Sequence, residues 1–121
     1  MRRTWLQGTA FVFAAALVGC ATENVGNIQT ENSVAAISSA EQVGAAKVPA
    51  AALHLQMAKE EADRGKNMMA NGEKENANSM LLRAEADANL AVAEAHHEQA
   101  RVDAAQALDR VRQLKQQNQL P

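Results

Sequence analysis

Pro49-Ala-Ala-Ala-Leu-His-Leu-Gln-Met-Ala-Lys-Glu-Glu-Ala-Asp-Arg-Gly-Lys-Asn-Met-Met-Ala-Asn-Gly72 is the stretch that decides the fold. Ala51, Leu55, Ala58, Ala62, Gly65 and Met69 recur at alternating intervals of four and three. That spacing keeps one stripe on one side of an α-helix. Proline suits the first helical position, so the helix is expected to start near Pro49. Charged residues fall off the stripe, and Glu60 precedes Arg64 by four, the favourable order for a helical ion pair. Asn71-Gly72 then ends the helix, because both residues tolerate the left-handed backbone that closes a helix.

Beyond this turn the same stripe resumes. Residues 73–117 contain neither proline nor glycine. Ala77, Leu81, Ala84, Ala88, Ala91 and Ala95 continue the pattern, Glu98 interrupts it, and Val102 and Ala105 follow. Farther on the apolar face drifts to Leu108, Val111 and Leu114. At 1.5 Å per residue this arm is about 65 Å long, roughly twice the helix before the turn. The two helices should fold back as an antiparallel hairpin, leaving about the C-terminal half of the second arm overhanging. A seam of alanine lets helix axes approach toward the low end of the usual 8–10 Å. Such a seam returns dispersion energy but little hydrophobic area, so modest stability is expected. The overhang's unburied apolar residues predict self-association through Val102–Leu114, limited by like charge at Glu98 and Asp103.

Upstream of Pro49 the pattern loosens. Asn32 or Ser33 can cap a helix over 32–46 with Ala36, Ile37, Ala40, Val43 and Gly44 on its apolar face. The alternative for this segment is a longer tether. Residues 21–31 show neither helical nor strand periodicity and are expected to be a flexible tether with a span of about 18 Å.

The first twenty residues have the organisation of an export signal. Arg2 and Arg3 precede Trp5–Val18, a 14-residue uncharged run broken only by Gln7, Gly8 and Thr9. As a helix this run covers about 21 Å, short of the ~30 Å hydrocarbon core, so it fits a secretory h-region and not a permanent span. It ends in Leu17-Val18-Gly19-Cys20, which resembles the bacterial lipobox. Small residues before the cysteine let a peptidase close over extended backbone. The resemblance implies that the Cys20 thiol takes a diacylglycerol through a thioether and that its amino group, freed by cleavage, takes a further acyl chain. At about 0.8 kcal/mol per buried CH₂, two or more long chains anchor a protein stably. The expected layout is therefore a signal peptide over 1–19, a lipidated N-terminus and tether over 20–31, and a helical domain over 32–118. Ala21, standing where an aspartate would favour inner-membrane retention, points to the outer membrane by the sorting rule of enteric bacteria.

Composition narrows the possible functions. The chain has 121 residues, a net charge of −2 and 27 alanines. Trp5, Phe11 and Phe13 are its three aromatic residues, all inside the export signal. Nucleic-acid binding lacks both a basic surplus and a ring on which a base could stack. A single cysteine excludes a disulfide framework and a cysteine-built zinc site.

Three pieces of sequence are similar to one known group. They are the Pro49 segment through Glu61, the Ala70-Asn71-Gly72 turn, and Arg83-Ala-Glu-Ala-Asp87-Ala88-Asn-Leu90-Ala91. Over about 32–115 the chain resembles bacterial envelope lipoproteins of the domain-of-unknown-function 4398 family. The resemblance implies a small helical periplasmic domain and brings no catalytic residues with it. Asp87 is the family-like polar residue suited to capping or bonding a neighbouring helix, with a solvated helix aspartate as the equal alternative. The chain departs from the family in having Gly72-Glu73-Lys74 where an aromatic often follows the turn.

Candidate chemistry is sparse. Glu94-Ala-His-His97 fits the Glu-x-x-His pair of di-iron bundles, which need a second pair and two more carboxylates. A homodimer with Glu60 or Glu61 would be required, and solvated polar residues explain the pair better. His54, beside Leu53 and Leu55, is expected at a packing boundary. Ser33, Ser38, Ser39 and Ser79 have no nucleophile-elbow context. Met57, Met68, Met69 and Met80 gather at the turn as core filler. No cofactor, metal or small-molecule substrate is expected. The chain is thus expected to be an all-α, non-enzymatic, periplasm-facing lipoprotein of the outer membrane with a structural role. The alternative is an adaptor subunit that binds a partner through its long helix.

Overall fold

The computed structural model describes residues 21–119. It is all-α, with α1 at Ala21–Gln42, a short 3-10 turn at Ala45–Lys47, α2 at Pro49–Ala70 and α3 at Lys74–Gln117. α2 and α3 form an antiparallel hairpin with a long second arm, and α1 packs along one side of it, mainly against α3. Among the described residues no helix is long and apolar enough to cross a membrane.

The alanine seam is the core. Ala51, Leu55, Ala58, Ala62 and Gly65 of α2 are buried against Ala77, Leu81, Ala84, Ala88, Ala91 and Ala95 of α3. Leu81 is the largest fully buried side chain among the described residues. Ala40 and Ala45 close the seam at the α1 end, with Ile37, Val48 and Val92 packed around them. At Gly65 the two helices pack closely. A Cβ built there would lie 2.8 Å from Leu81 Cγ and 2.9 Å from its Cδ2. The isobutyl group of Leu81 therefore occupies the space that the missing side chain leaves.

The turn closes by backbone alone. Gly72 takes φ 82°. Its N–H donates to the Met69 carbonyl at 3.1 Å, and Glu73 N–H donates to Met68 O at 2.9 Å. That pair of bonds is a Schellman motif, which satisfies carbonyls that a helix end otherwise leaves open. Glu73 and Lys74 stay exposed, so this turn needs no aromatic to hold it.

α1 departs from the expected boundaries at both ends. Residues 21–31, expected as a tether, are helical, so the helix starts at Ala21 and not at Asn32. A docked segment supplies the costly nucleus, and extending it backward costs only the propensity of each added residue. No proline stands between 21 and 48 to stop it. Ser33, expected as a cap, is buried in mid-helix, and its hydroxyl donates to the Thr30 carbonyl at 2.9 Å. At the other end the helix stops at Gln42 instead of continuing to 46. Gly44 turns left-handed at φ 78°, and the 3-10 turn after it tucks Ala45 into the core. Lys59 on α2 pairs with Glu41 on α1, both about half exposed, a pairing of small energetic weight.

Because α1 ends beside the start of α2, it runs parallel to α3, and its first residues lie at the turn end of the hairpin. The opposite end belongs to α3 alone. Every position from Gln99 to Gln119 is exposed. The overhanging helical part, 99–117, extends about 28 Å at 1.5 Å per residue.

Candidate functional site: a polar file beside the alanine seam

Alongside the seam, each hairpin helix carries a second file of residues. His54 and Glu61 are seven apart on α2, and Asp87 and Glu94 are seven apart on α3. Seven residues are close to two helical turns, so each pair shares one flank. Antiparallel packing brings the two flanks together. His54 Nδ1 lies 3.2 Å from Asp87 Oδ1, and His54 Nε2 lies 3.8 Å from Glu94 Oε1. One turn nearer the hairpin bend, Arg83 donates to Glu61 Oε1 at 2.7 Å.

Glu61 is the member taken out of water, at 7% exposure. Its carboxyl titrates above the usual glutamate range, first because burial penalises the charge. A hydrogen bond to Asp87 and the charge of Asp87 push the same way, while Arg83 and Arg64 pull against them.

That shift has a signed consequence for folding. A carboxyl whose folded pKa is raised binds its proton more tightly when folded. Its contribution is fully present below the unfolded value and is lost as pH rises through the folded one. Glu61→Gln, which keeps the shape without the charge, should therefore gain on the natural protein as pH climbs above the ordinary glutamate range. Circular-dichroism melts of both proteins from acid to neutral pH measure the difference. A natural protein that gains on the variant with rising pH would contradict the assignment.

The other sequence candidates are dispersed. Glu94 turns toward His54 and not toward His97, and both His96 and His97 are exposed. Glu60 accepts a hydrogen bond from Gln56 at 2.9 Å on the exposed side of α2. Among the described residues no group of three or more His, Cys, Asp or Glu is arranged to hold a metal ion. Ser79 donates to the Glu75 carbonyl, and the Ser38 hydroxyl accepts from Gln42. Met68, Met69 and Met80 are half-buried around the turn, whereas Met57 is exposed. Leu17, Val18, Gly19 and Cys20 lie outside the described residues.

Comparison with protein families matches the chain to the Domain of unknown function (DUF4398) over residues 29–107. The chain belongs to this family. The DUF4398 match takes in α1 from Gln29, the whole of α2 and the first part of α3, and it stops within the overhang. No curated protein and no solved structure matches the chain. The hairpin's polar file therefore lies wholly inside the family region.

Asp87 bonds the neighbouring helix, one of the alternatives open for it, and is not a solvated aspartate. His54 does stand at a boundary, but it has two carboxylate neighbours. Sequence reasoning did not find the Glu61–Arg83 pair. The usable signal was the seven-residue repeat of polar residues flanking an alanine stripe on two helices that must run antiparallel.

Proposed function

We propose that this DUF4398 chain is a bacterial outer-membrane lipoprotein with a structural or scaffolding role in the cell envelope and no catalytic activity. One observation carries the location: a 14-residue uncharged run after Arg2 and Arg3 that ends in Leu17-Val18-Gly19-Cys20. Removal of 1–19 leaves residues 20–121 with net charge near −4, since Arg2 and Arg3 depart. Acyl chains on Cys20 then join directly to a helix that begins at Ala21, with no flexible tether between. Such an attachment couples the bundle's orientation to the bilayer more closely than a coil of the same length. The structural role is supported by a rigid hairpin whose polar residues serve helix pairing.

Mass spectrometry of the membrane-purified protein tests the anchor. The expected product starts at Cys20 and carries a diacylglyceryl thioether and an amide-linked acyl chain. Cys20→Ala should leave the protein out of the outer-membrane fraction. A mature chain that begins at Met1, unmodified and soluble, would refute the proposal.

A second role, adaptor subunit of a larger envelope complex, is favoured by the fully exposed 99–119 segment. An amphipathic helix of this kind suits a partner's groove. In-cell crosslinking from Val102, Leu108 and Val111 separates the two: one foreign protein supports the adaptor, and linkage between copies supports a homomeric scaffold.

A further inference from the structure

α1 gives the bundle a direction, because its contacts fix where its first residue falls. Near its C-terminal end Glu41 pairs with Lys59 of α2, and Ala40 shares one core cluster with Ala91 and Ala95 of α3. Ala21 lies 20 residues before Glu41, about 30 Å back along the helix. α2 runs the other way and has only 11 residues left after Lys59 before it ends at Ala70. On α3, Lys74 stands 17 residues before Ala91, about 26 Å away. Both counts bring Ala21 to the bend or slightly beyond it. The overhang leaves from the other end. Gln99 is about 38 Å from Lys74 along α3, and Gln117 is about 65 Å from it.

We propose that the bend end of the hairpin faces the anchoring bilayer, and that α3 stands away from it and displays its overhang out of reach of the headgroups. This rests on the reading of Cys20 as lipidated. Cys20 is bonded to Ala21, so its Cα lies about 3.8 Å from that of the first residue of α1. Acyl chains on its sulfur enter hydrocarbon only if the first turn of α1 lies at the headgroups. The end of the molecule that carries Ala21 is therefore the end that meets lipid.

Charge holds the molecule upright. Residues 20–98 contain 12 Asp and Glu against six Lys and Arg. An anionic headgroup layer repels flanks of that sign. At the bend Lys66 and Lys74 balance Glu73 and Glu75, all four exposed, so this end meets headgroups without net repulsion. The overhang is the basic part, with four Lys and Arg against two Asp over 99–119. Two of those arginines are already paired within the helix, Arg101 with Glu98 and Arg112 with Asp109. Laying the overhang on the bilayer would press the acidic flank of the bundle onto the same surface. No aromatic side chain follows Phe13, so neither part has a ring to hold a helix in the interface. Whatever takes the overhang is then met on the side of the molecule away from the anchoring membrane.

The absence of aromatics after Phe13 also supplies the test, since one introduced tryptophan reports its own distance from lipid. Full chains carrying Trp5→Phe and either Glu73→Trp or Gln117→Trp are purified from cells in detergent, and the mass at Cys20 is read first. Acylated protein is reconstituted into phosphatidylethanolamine–phosphatidylglycerol vesicles that contain a dansyl-labelled headgroup. If the thiol is bare, the lipidation reading has failed. A dialkyl maleimide coupled to that thiol then supplies the anchor, so the geometry is tested in either case. Energy transfer from position 73 should be strong and that from position 117 should fall to background, because about 65 Å of helix separates them. Equal transfer from the two positions, as in a bundle lying flat, would overturn the proposal. So would stronger transfer from position 117, or none from either.

Discussion

Leu81→Ala is expected to lower the stability of the bundle by about 3 kcal/mol and its melting midpoint by about 15 °C. The side chain is fully buried and is the largest one that is. In a core otherwise built mainly of alanine, little that is adjacent has atoms to spare for the space left behind. Leu55 is buried one turn or more away, and Ala77, Ala84 and Ala88 have only a methyl each. The cavity therefore stays open, and the lining loses its dispersion contacts outright. A protein of this composition starts from modest stability, so a loss of that size should produce visible unfolding at moderate temperature. Urea titration followed by circular dichroism measures it. A loss below about 1 kcal/mol would mean that the hairpin collapses around the cavity.

Gly65→Val should be at least as damaging, at about 3 kcal/mol or more, although valine has the better intrinsic helix propensity. The first added carbon already falls 2.8 Å from Leu81 Cγ and 3.3 Å from the Ala77 carbonyl oxygen. Two further methyls add to the crowding against the facing helix. Either α2 and α3 separate along the seam or Leu81 leaves it. The two substitutions are consequently coupled. In the Gly65→Val background, Leu81→Ala should cost far less than it does alone, because it removes the atoms in collision. A double-mutant cycle in urea reads this coupling directly. Strict additivity of the two changes would show that the helices do not meet at this point.

These two expectations, and the pH response of Glu61, locate the physical centre of the molecule in a single interface. The alanine seam holds the axes close, and closeness makes the flanking polar residues matter. His54, Asp87 and Glu94 meet across the groove because no bulky side chain holds the helices apart. Glu61 is buried for the same reason, and its charge is penalised as a result.

Much of this was legible in the order of residues. The stripe from Ala51 through Gly65 and from Ala77 through Ala95 is, with Glu61 added, the buried set of α2 and α3, while Met69, its last expected member on α2, is half-buried. Period alone identifies it, because a helix repeats every 3.6 residues whatever surrounds it. Asn71-Gly72 likewise announces its own turn, since left-handed backbone is a property of the residue. The signal before Pro49 was weaker. Residues 21–31 have polar and apolar side chains in no regular order, and their helix comes from extension of a docked segment. Gly44 ended the first helix sooner than expected because a left-handed glycine stops a helix wherever the chain must turn toward its next partner.

The sequence by itself determined an all-α class, the hairpin, and the face each of its helices buries. All of these are local: they depend on residue type and on spacing within one turn or one heptad. Only the tertiary structure decided which polar residues face each other across the groove, that Gly65 receives Leu81, and that α1 starts at the bend end of the hairpin. Those depend on the register between helices and on where α1 docks, which are set by the fit of whole surfaces and written in no single stretch of chain.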